Sequence, residues 1–224
     1  MHTTYCTLYE KMEAAPDRRA PLNRERIARA ALAIADAEGL EALTMRRLAA
    51  ELGAAPMAAY AHFAGKRELL AEVVDAVMGE VELPEPDGRW RKPLRRLAMS
   101  FRSALLAHPA VMPAFHAYGA RGANALTVLD RAHAILRRAG FPDEDVGRAV
   151  ETIYAFALGS VSLEIAWASL DPARRHAQIF ALPRSAYPDL TAVMPHVLAV
   201  DGEDRFRYGL DRILDGLAET RRAT

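Results

Sequence analysis

Residues Thr44–Lys66, TMRRLAAELGAAPMAAYAHFAGK, read as two short helices around a tight turn. Thr44 stands where an N-cap belongs, with a hydroxyl able to accept a bond from an orphan backbone N–H. Met45, Leu48, Ala49 and Leu52 then recur at helical spacing, and Gly53 closes the run. Pro56 is a second start signal, because the first helical turn can spare the N–H that proline lacks. Ala59 and Phe63 follow one turn apart on one side, with Tyr60 and His62 elsewhere on that helix. Only Gly53, Ala54 and Ala55 separate the two helices, so they meet at a steep angle. This is the helix-turn-helix arrangement, whose second helix enters the major groove of DNA.

A small-residue turn between amphipathic helices imitates that pattern, so the flanks decide. Upstream, NRERIARAALAIADAEG offers Asn23 as N-cap and Glu25 in the first turn, where the helix macrodipole favours a negative charge. Ile27, Ala30, Ala31, Ile34 and Ala35 form its stripe and Gly39 its stop. Downstream, GKRELLAEVVDAV places Leu69, Leu70, Val73, Val74 and Val77 on one buried face. The series helix, Gly-Leu, LTMRRLAAELG, turn, Tyr-x-His-Phe, x-x-Lys, x-x-Leu-Leu resembles the DNA-binding head of the tetracycline-repressor (TetR) family of one-component bacterial regulators. The resemblance covers residues 23–80 without a gap. In the body it rests on LLAHPAVMP, on the Gly-x-Asn-Ala-Leu run at Gly122–Leu126 and on the Ala-Gly-Phe that ends Leu136–Phe141, which are similar to the tetracycline-repressor-type C-terminal subclass.

The expected fold is all-α. Residues 1–22 have no sustained periodicity and read as a disordered leader or a misassigned start; the alternative is an arm whose Arg18 and Arg19 enter a narrow minor groove. Residues 23–82 form the helix-turn-helix head, including a connecting helix over 66–82. Pro84, Pro86, Asp87 and Gly88 mark a boundary, and 89–224 form an all-helical body. Its candidate helices are 91–107, a short one within 110–118, 123–139, 143–170, a short one near 173–181, 189–199 and 203–220. Pro183, Pro188, Pro195 and Gly202 suggest that 183–202 is otherwise irregular.

Helix 143–170 contains AVETIYAFALGSVSLEIAWASL, apolar nearly all round, as a helix buried on several sides must be. The last helix has Phe206, Leu210, Ile213, Leu214 and Leu217 as one stripe, with Arg212, Asp215 and Glu219 outside it. Helices 143–170 and 203–220 from two subunits are expected to form a four-helix homodimer interface, as the resemblance also implies, with Gly159, Ser160 and Ser162 allowing close approach. The competing expectation is that both helices fill the core of a monomer.

The formal net charge of +0 argues against a protein coated in positive charge, so DNA affinity requires a local patch. Arg18, Arg19, Arg24, Arg26, Arg29, Arg46, Arg47, Lys66 and Arg67 supply one, with offsetting acids expected mainly from Glu68 onward. The single cysteine, Cys6, excludes an intramolecular disulfide and gives no metal-site spacing. No stretch reads as a membrane span and residues 1–22 lack a signal-peptide core, so a cytoplasmic protein without a membrane partner is expected.

Arg46 is the first choice for base readout, through a bidentate fork to guanine, with a phosphate contact as the alternative. Thr44 adds a phosphate bond to its capping role. The resemblance implies backbone contacts for Lys66, Tyr60 and His62; packing beside Phe63 is the other role open to His62. Pro56, Met57, Ala58 and Ala61 bring no side-chain hydrogen bond to the recognition helix, a departure from many relatives that suggests contact with thymine methyl groups or modest specificity. For the body the resemblance implies a small-molecule pocket. Candidate ligand-binding residues are Met112, Phe115, His116, Tyr118, Asn124, His133, Tyr154 and Trp167, with Phe156 as further lining; the alternative for each is an ordinary core or surface position. A metal-assisted ligand would need a histidine such as His116 or His133 aimed into the pocket, but no metal or cofactor is expected. The nearest approach to an enzyme motif, Gly119–Asn124, lacks the lysine and hydroxyl of a phosphate loop. The leading expectation is a repressor released from a palindromic operator by a small apolar or aromatic effector. The alternative is an effector-independent, architectural DNA-binding protein of low sequence specificity.

Overall fold

A computed structural model describes residues 22–55, 61–171, 177 and 180–223. Among these every regular element is helical and no strand occurs. In chain order the helices are α1 (Arg24–Glu38), α2 (Met45–Leu52), α3 (Lys66–Met78), α4 (Arg91–Ala107), α5 (Met112–Tyr118), α6 (Ala123–Arg138), α7 (Asp143–Ala168), α8 (Pro188–Ala199) and α9 (Gly202–Ala223). The expected leader 1–21 with Arg18 and Arg19, the recognition residues 56–60 and most of the short helix near 173–181 lie outside the described residues.

Local chemistry sets the first boundaries. The Asn23 side chain accepts the Arg26 N–H at 2.8 Å and starts α1. The Thr44 hydroxyl accepts the Arg47 N–H at 3.1 Å and starts α2. Gly53 ends α2 in the left-handed region at φ 63°, which costs glycine nothing, and its N–H returns to the helix carbonyls. Ile27, Ala31, Ile34, Leu48, Phe63, Leu69 and Val73 are buried between α1, α2 and α3. The same core continues without a break through Leu94, Phe115 and Leu136 to Phe206 and Leu214.

Three expectations are corrected. The connecting helix stops at Met78 rather than at Glu82. Gly79 there packs so close to α6 that an added Cβ would lie 3.1 Å from the Asn124 amide, and the chain then leaves as an extended strap whose Glu82 N–H is taken by the Ser100 hydroxyl at 2.8 Å. The irregular stretch expected over 183–202 is narrower than its prolines suggest, because the helix expected over 189–199 forms as Pro188–Ala199 with Pro195 in its interior, although none of its residues is buried. Finally, by length and composition α7 would suffice to cross a membrane. Such a match is also met by core helices, and here Val146, Ala149, Val150, Ile153, Ala157 and Val161 are one buried stripe against α4, α6 and α9. Thr152, Ala155, Gly159, Leu163 and Ala166, at the same helical spacing, form a second and exposed stripe. A single chain therefore buries one face of α7, not several.

Candidate nucleic-acid interface and effector cavity

The arginines of the N-terminal region divide sharply by partner. Arg47 is tied to Glu38 at 2.6 Å and Glu51 at 2.9 Å, which pins α2 to the end of α1. Arg24 joins Glu68 and Glu72 of α3, both at 2.7 Å, donates to the His62 carbonyl at 2.6 Å and lies over the Phe63 ring. Arg29 pairs with Glu25 at 2.8 Å. The offsetting acids thus include Glu25, Glu38 and Glu51, well before Glu68, and the available patch is smaller than the sequence suggests. Arg46, Lys66 and Arg67 remain exposed, with no hydrogen bond or ion pair among the described residues.

Lys66 is the first residue of α3, behind Gly65, which offers no side-chain cap. The Glu68 carboxylate accepts the Ala64 N–H at 2.7 Å, and this bond together with Arg24 holds the Glu68 carboxyl below its usual range. A lysine at a helix N-terminus, with the positive end of the helix behind it, is suited to a phosphate. His62 is half-buried beside the fully buried Phe63. Thr44 is exposed with its hydroxyl already accepting one bond. Of the expected DNA-contacting residues, Thr44, Arg46, His62 and Lys66 can thus be placed; Pro56, Met57, Ala58 and Tyr60 lie outside the described residues.

In the body, α3, α4, α6 and α7 line a cavity of about 440 Å³ that is partly open to solvent. Leu97 and Phe101 of α4, Val128 and Leu129 of α6, and Ile153 and Tyr154 of α7 form most of its apolar wall, and Met78 reaches it from the C-terminal end of α3. The Phe101 and Tyr154 rings stand 6.0 Å apart. Polar groups are few: Arg121 before α6, Glu151 on α7 and the Tyr154 phenol. Burial, with the charge of Glu151 behind it, raises the Tyr154 pKa, so the phenol stays protonated and able to donate.

Of the eight candidate ligand-binding residues, Tyr154 alone lines this cavity. Met112 and Phe115 are buried in the core, Phe115 edge-on to Phe101. His116 meets the Ser162 hydroxyl at 3.2 Å, and His133 faces the Leu129 carbonyl at 2.7 Å. Tyr118 lines a separate cleft between the α3 N-terminus and the α5–α6 loop. Asn124 is bonded to α3, Trp167 is covered by Arg205, and Phe156 packs on Phe206. Arg121, Glu151 and Met78 were not among the sequence candidates. Nothing local marks them, since the cavity exists only where four helices converge.

Two polar joints connect α1 and α3 to the body. His108, at the end of α4, bridges Asp36 of α1 at 2.7 Å and Glu80 just beyond α3 at 3.0 Å. Asp75 of α3 is buried and accepts backbone N–H groups at the start of α6.

Residues 27–73 match the family described as bacterial regulatory proteins, tetR family, and residues 83–221 match the tetracyclin repressor-like C-terminal domain. The chain is 31% identical over 211 residues to the HTH-type transcriptional repressor DrrR1 of Streptomyces coeruleorubidus, covering 88% of this chain and 77% of that protein. It is 35% identical over 198 residues to the class A tetracycline repressor protein from transposon 1721 of Escherichia coli, covering 87% of this chain and 90% of that one. Among solved structures it is similar to ActR of Streptomyces coelicolor in complex with (S)-DNPA, at TM-score 0.78 and 33% identity over 90% of this chain and 99% of that chain. The complex of ActR with actinorhodin is similar at TM-score 0.77, with the same identity and coverage.

Proposed function

Because the chain belongs to the tetracycline-repressor family of bacterial transcriptional regulators, we propose that it is a homodimeric repressor that leaves a palindromic operator when a small apolar or aromatic effector fills the 440 Å³ cavity. On this reading residues 23–82 are the DNA-binding head, 89–224 the effector-binding and dimerisation body, and the protein works in the cytoplasm.

The observation that carries the proposal is α3 itself. Its first residue, Lys66, lies at the DNA-facing end, and its last, Met78, lines the cavity. Thirteen residues at a 1.5 Å rise make it about 20 Å long, so one rigid rod joins the two sites. An effector that favours a different packing of Met78 moves the far end of the same rod. Two heads about 34–36 Å apart recognise two half-sites, and a change in that spacing breaks the match.

The exposed stripe of α7, with Leu163 56% exposed, and the outer face of α9 supply the dimer contact. An added Cβ on Gly159 would meet open space, so the helix backbone can approach a partner closely there. The effector class follows from the lining: aromatic and aliphatic walls with three polar groups to orient a bound molecule. That ActR is solved with (S)-DNPA and with actinorhodin supports an effector site in this body.

The coupling is tested by reciprocity. Compounds that raise the melting temperature of the free protein are titrated again in the presence of operator DNA. Operator and effector must weaken each other by the same factor, about 5–150-fold for a coupling of ~1–3 kcal/mol. An effector that binds equally well with and without operator would sink the mechanism.

A further inference from the structure

We propose that Asp75 is the joint through which occupancy of the cavity reaches the DNA-binding head, a positioning residue for regulation rather than a ligand contact. The proposal rests on the reading that an effector in the cavity weakens DNA binding.

Asp75 is a carboxylate only 5% exposed on α3, one turn before Met78. A buried acid is costly unless its oxygens are satisfied. Here they are satisfied by another helix: Oδ2 accepts the Asn124 N–H at 3.1 Å and Oδ1 the Ala125 N–H at 2.9 Å. Among the described residues no cation pairs with it. These N–H groups belong to the first turn of α6, whose N-cap residue, Gly122, supplies no side-chain cap. Asp75 is therefore the cap of α6, supplied from α3, and the α6 N-terminus compensates its charge.

The bond is reciprocal and tightly fitted. The Asn124 side-chain amide donates back to the Asp75 carbonyl at 3.1 Å. A Cβ added to Gly122 would fall inside contact distance of the Asp75 carboxyl atoms, so glycine is what lets the loop sit over the carboxylate. From the joint itself onward α6 is cavity wall, through Ala125, Val128, Leu129 and Ala132. An occupant that shifts α6 must either drag Asp75, and with it α3, or leave a carboxylate and two N–H groups buried without partners. The second alternative is the more costly, so the two helices move together.

The test fills the cavity covalently, which requires no identified effector. Ala98→Trp, from the α4 wall, and Ala132→Trp, from the α6 wall, each place an indole in the cavity of the full-length protein. Each is combined with Asp75→Asn, which keeps the side-chain shape but removes the charge and one acceptor. Gly122→Ala is a second way to displace the carboxylate. Binding to the protein's own upstream DNA is measured by fluorescence anisotropy, with melting temperatures alongside. Filling the cavity is expected to weaken DNA binding about tenfold or more in the native background. In the Asp75→Asn or Gly122→Ala background the same filling is expected to change DNA affinity by less than about twofold. If Asp75→Asn lowers only the melting temperature, and filling still weakens DNA binding as much as in the native background, Asp75 is merely structural and the proposal is overturned. Native protein that binds DNA indifferently to a filled cavity overturns instead the effector mechanism on which the proposal rests.

Discussion

Arg46 and Arg47 are neighbours in sequence, yet their environments predict opposite consequences of removal. Arg47 is held by Glu38 and Glu51, whereas Arg46 is exposed without a partner among the described residues. Arg46→Ala therefore leaves the folded protein intact, with a stability change within about ±0.5 kcal/mol, as is usual for a surface substitution. Its effect falls on DNA. A bidentate arginine–guanine contact discriminates by ~1–3 kcal/mol, and a dimer loses it at both half-sites, for a total of about 2–6 kcal/mol. At 1.4 kcal/mol per tenfold, even the low end is a loss of about thirtyfold. Arg47→Ala does the reverse: it frees α2 from the end of α1, lowering the melting temperature, while DNA affinity follows only as far as the head loosens. Both variants are titrated against operator and unrelated duplex at two salt concentrations, with thermal melts in parallel. If Arg46 contacts phosphate instead of a base, Arg46→Ala weakens both duplexes alike and lowers the salt slope by about one per protomer. The reasoning is refuted if Arg46→Ala keeps native affinity and salt slope, or if Arg47→Ala loses as much DNA affinity as Arg46→Ala without any change in melting.

Thr44→Ala removes the α2 cap and should cost about 0.5–2 kcal/mol in urea unfolding, with Thr44→Ser restoring most of it. Leu163→Glu places a charge in the middle of the exposed α7 stripe and should convert a dimer to a monomer in analytical ultracentrifugation without loss of helicity; a dimer of unchanged strength would remove α7 from the interface. The His108 bridge gives a pH dependence. Burial alone would depress the imidazole, but Asp36 and then Glu80 carry its pKa above 6.5. A raised folded pKa means that the bridge stabilises fully below 6.5 and that this contribution is lost as pH rises through the folded value. The stability advantage of the native protein over His108→Gln should accordingly shrink on going from pH 6 to the alkaline side; an advantage that grows with pH would contradict the bridge.

The parts of the fold that rest on nearest neighbours were legible in the sequence. Asn23, Thr44 and Gly53 act within three or four residues: the first two cap their helices through a side-chain oxygen, and Gly53 ends α2 through a left-handed backbone. The end of α3 was misread because Glu80, Val81 and Glu82 suit a helix; what stops it is the approach of Gly79 to Asn124, a contact over 45 residues of chain. The patch of free cations was overestimated for the same reason, since Arg24 finds Glu68 and Glu72 only once α1 lies on α3. Periodicity identified α7 as unusually apolar, but not that a single chain covers only one of its stripes. The cavity was the least legible feature. Tyr154 alone was chosen from chemistry, whereas Arg121 and Glu151 line it by virtue of where the four converging helices and the loop before α6 place them. Asp75 did leave a trace, as an acid within the apolar run Val73–Met78, and buried acids of that kind point to a partner elsewhere in the chain.

The most direct measurement is a gel shift of the purified protein on its own upstream intergenic DNA against an unrelated duplex of equal length, at one fixed salt concentration, with Arg46→Ala in parallel. We expect a discrete complex on the upstream fragment at protein concentrations that leave the unrelated duplex free, and its loss in Arg46→Ala. Equal binding to both duplexes, with affinity falling steeply as salt rises, would contradict a sequence-specific repressor and identify an architectural DNA-binding protein instead.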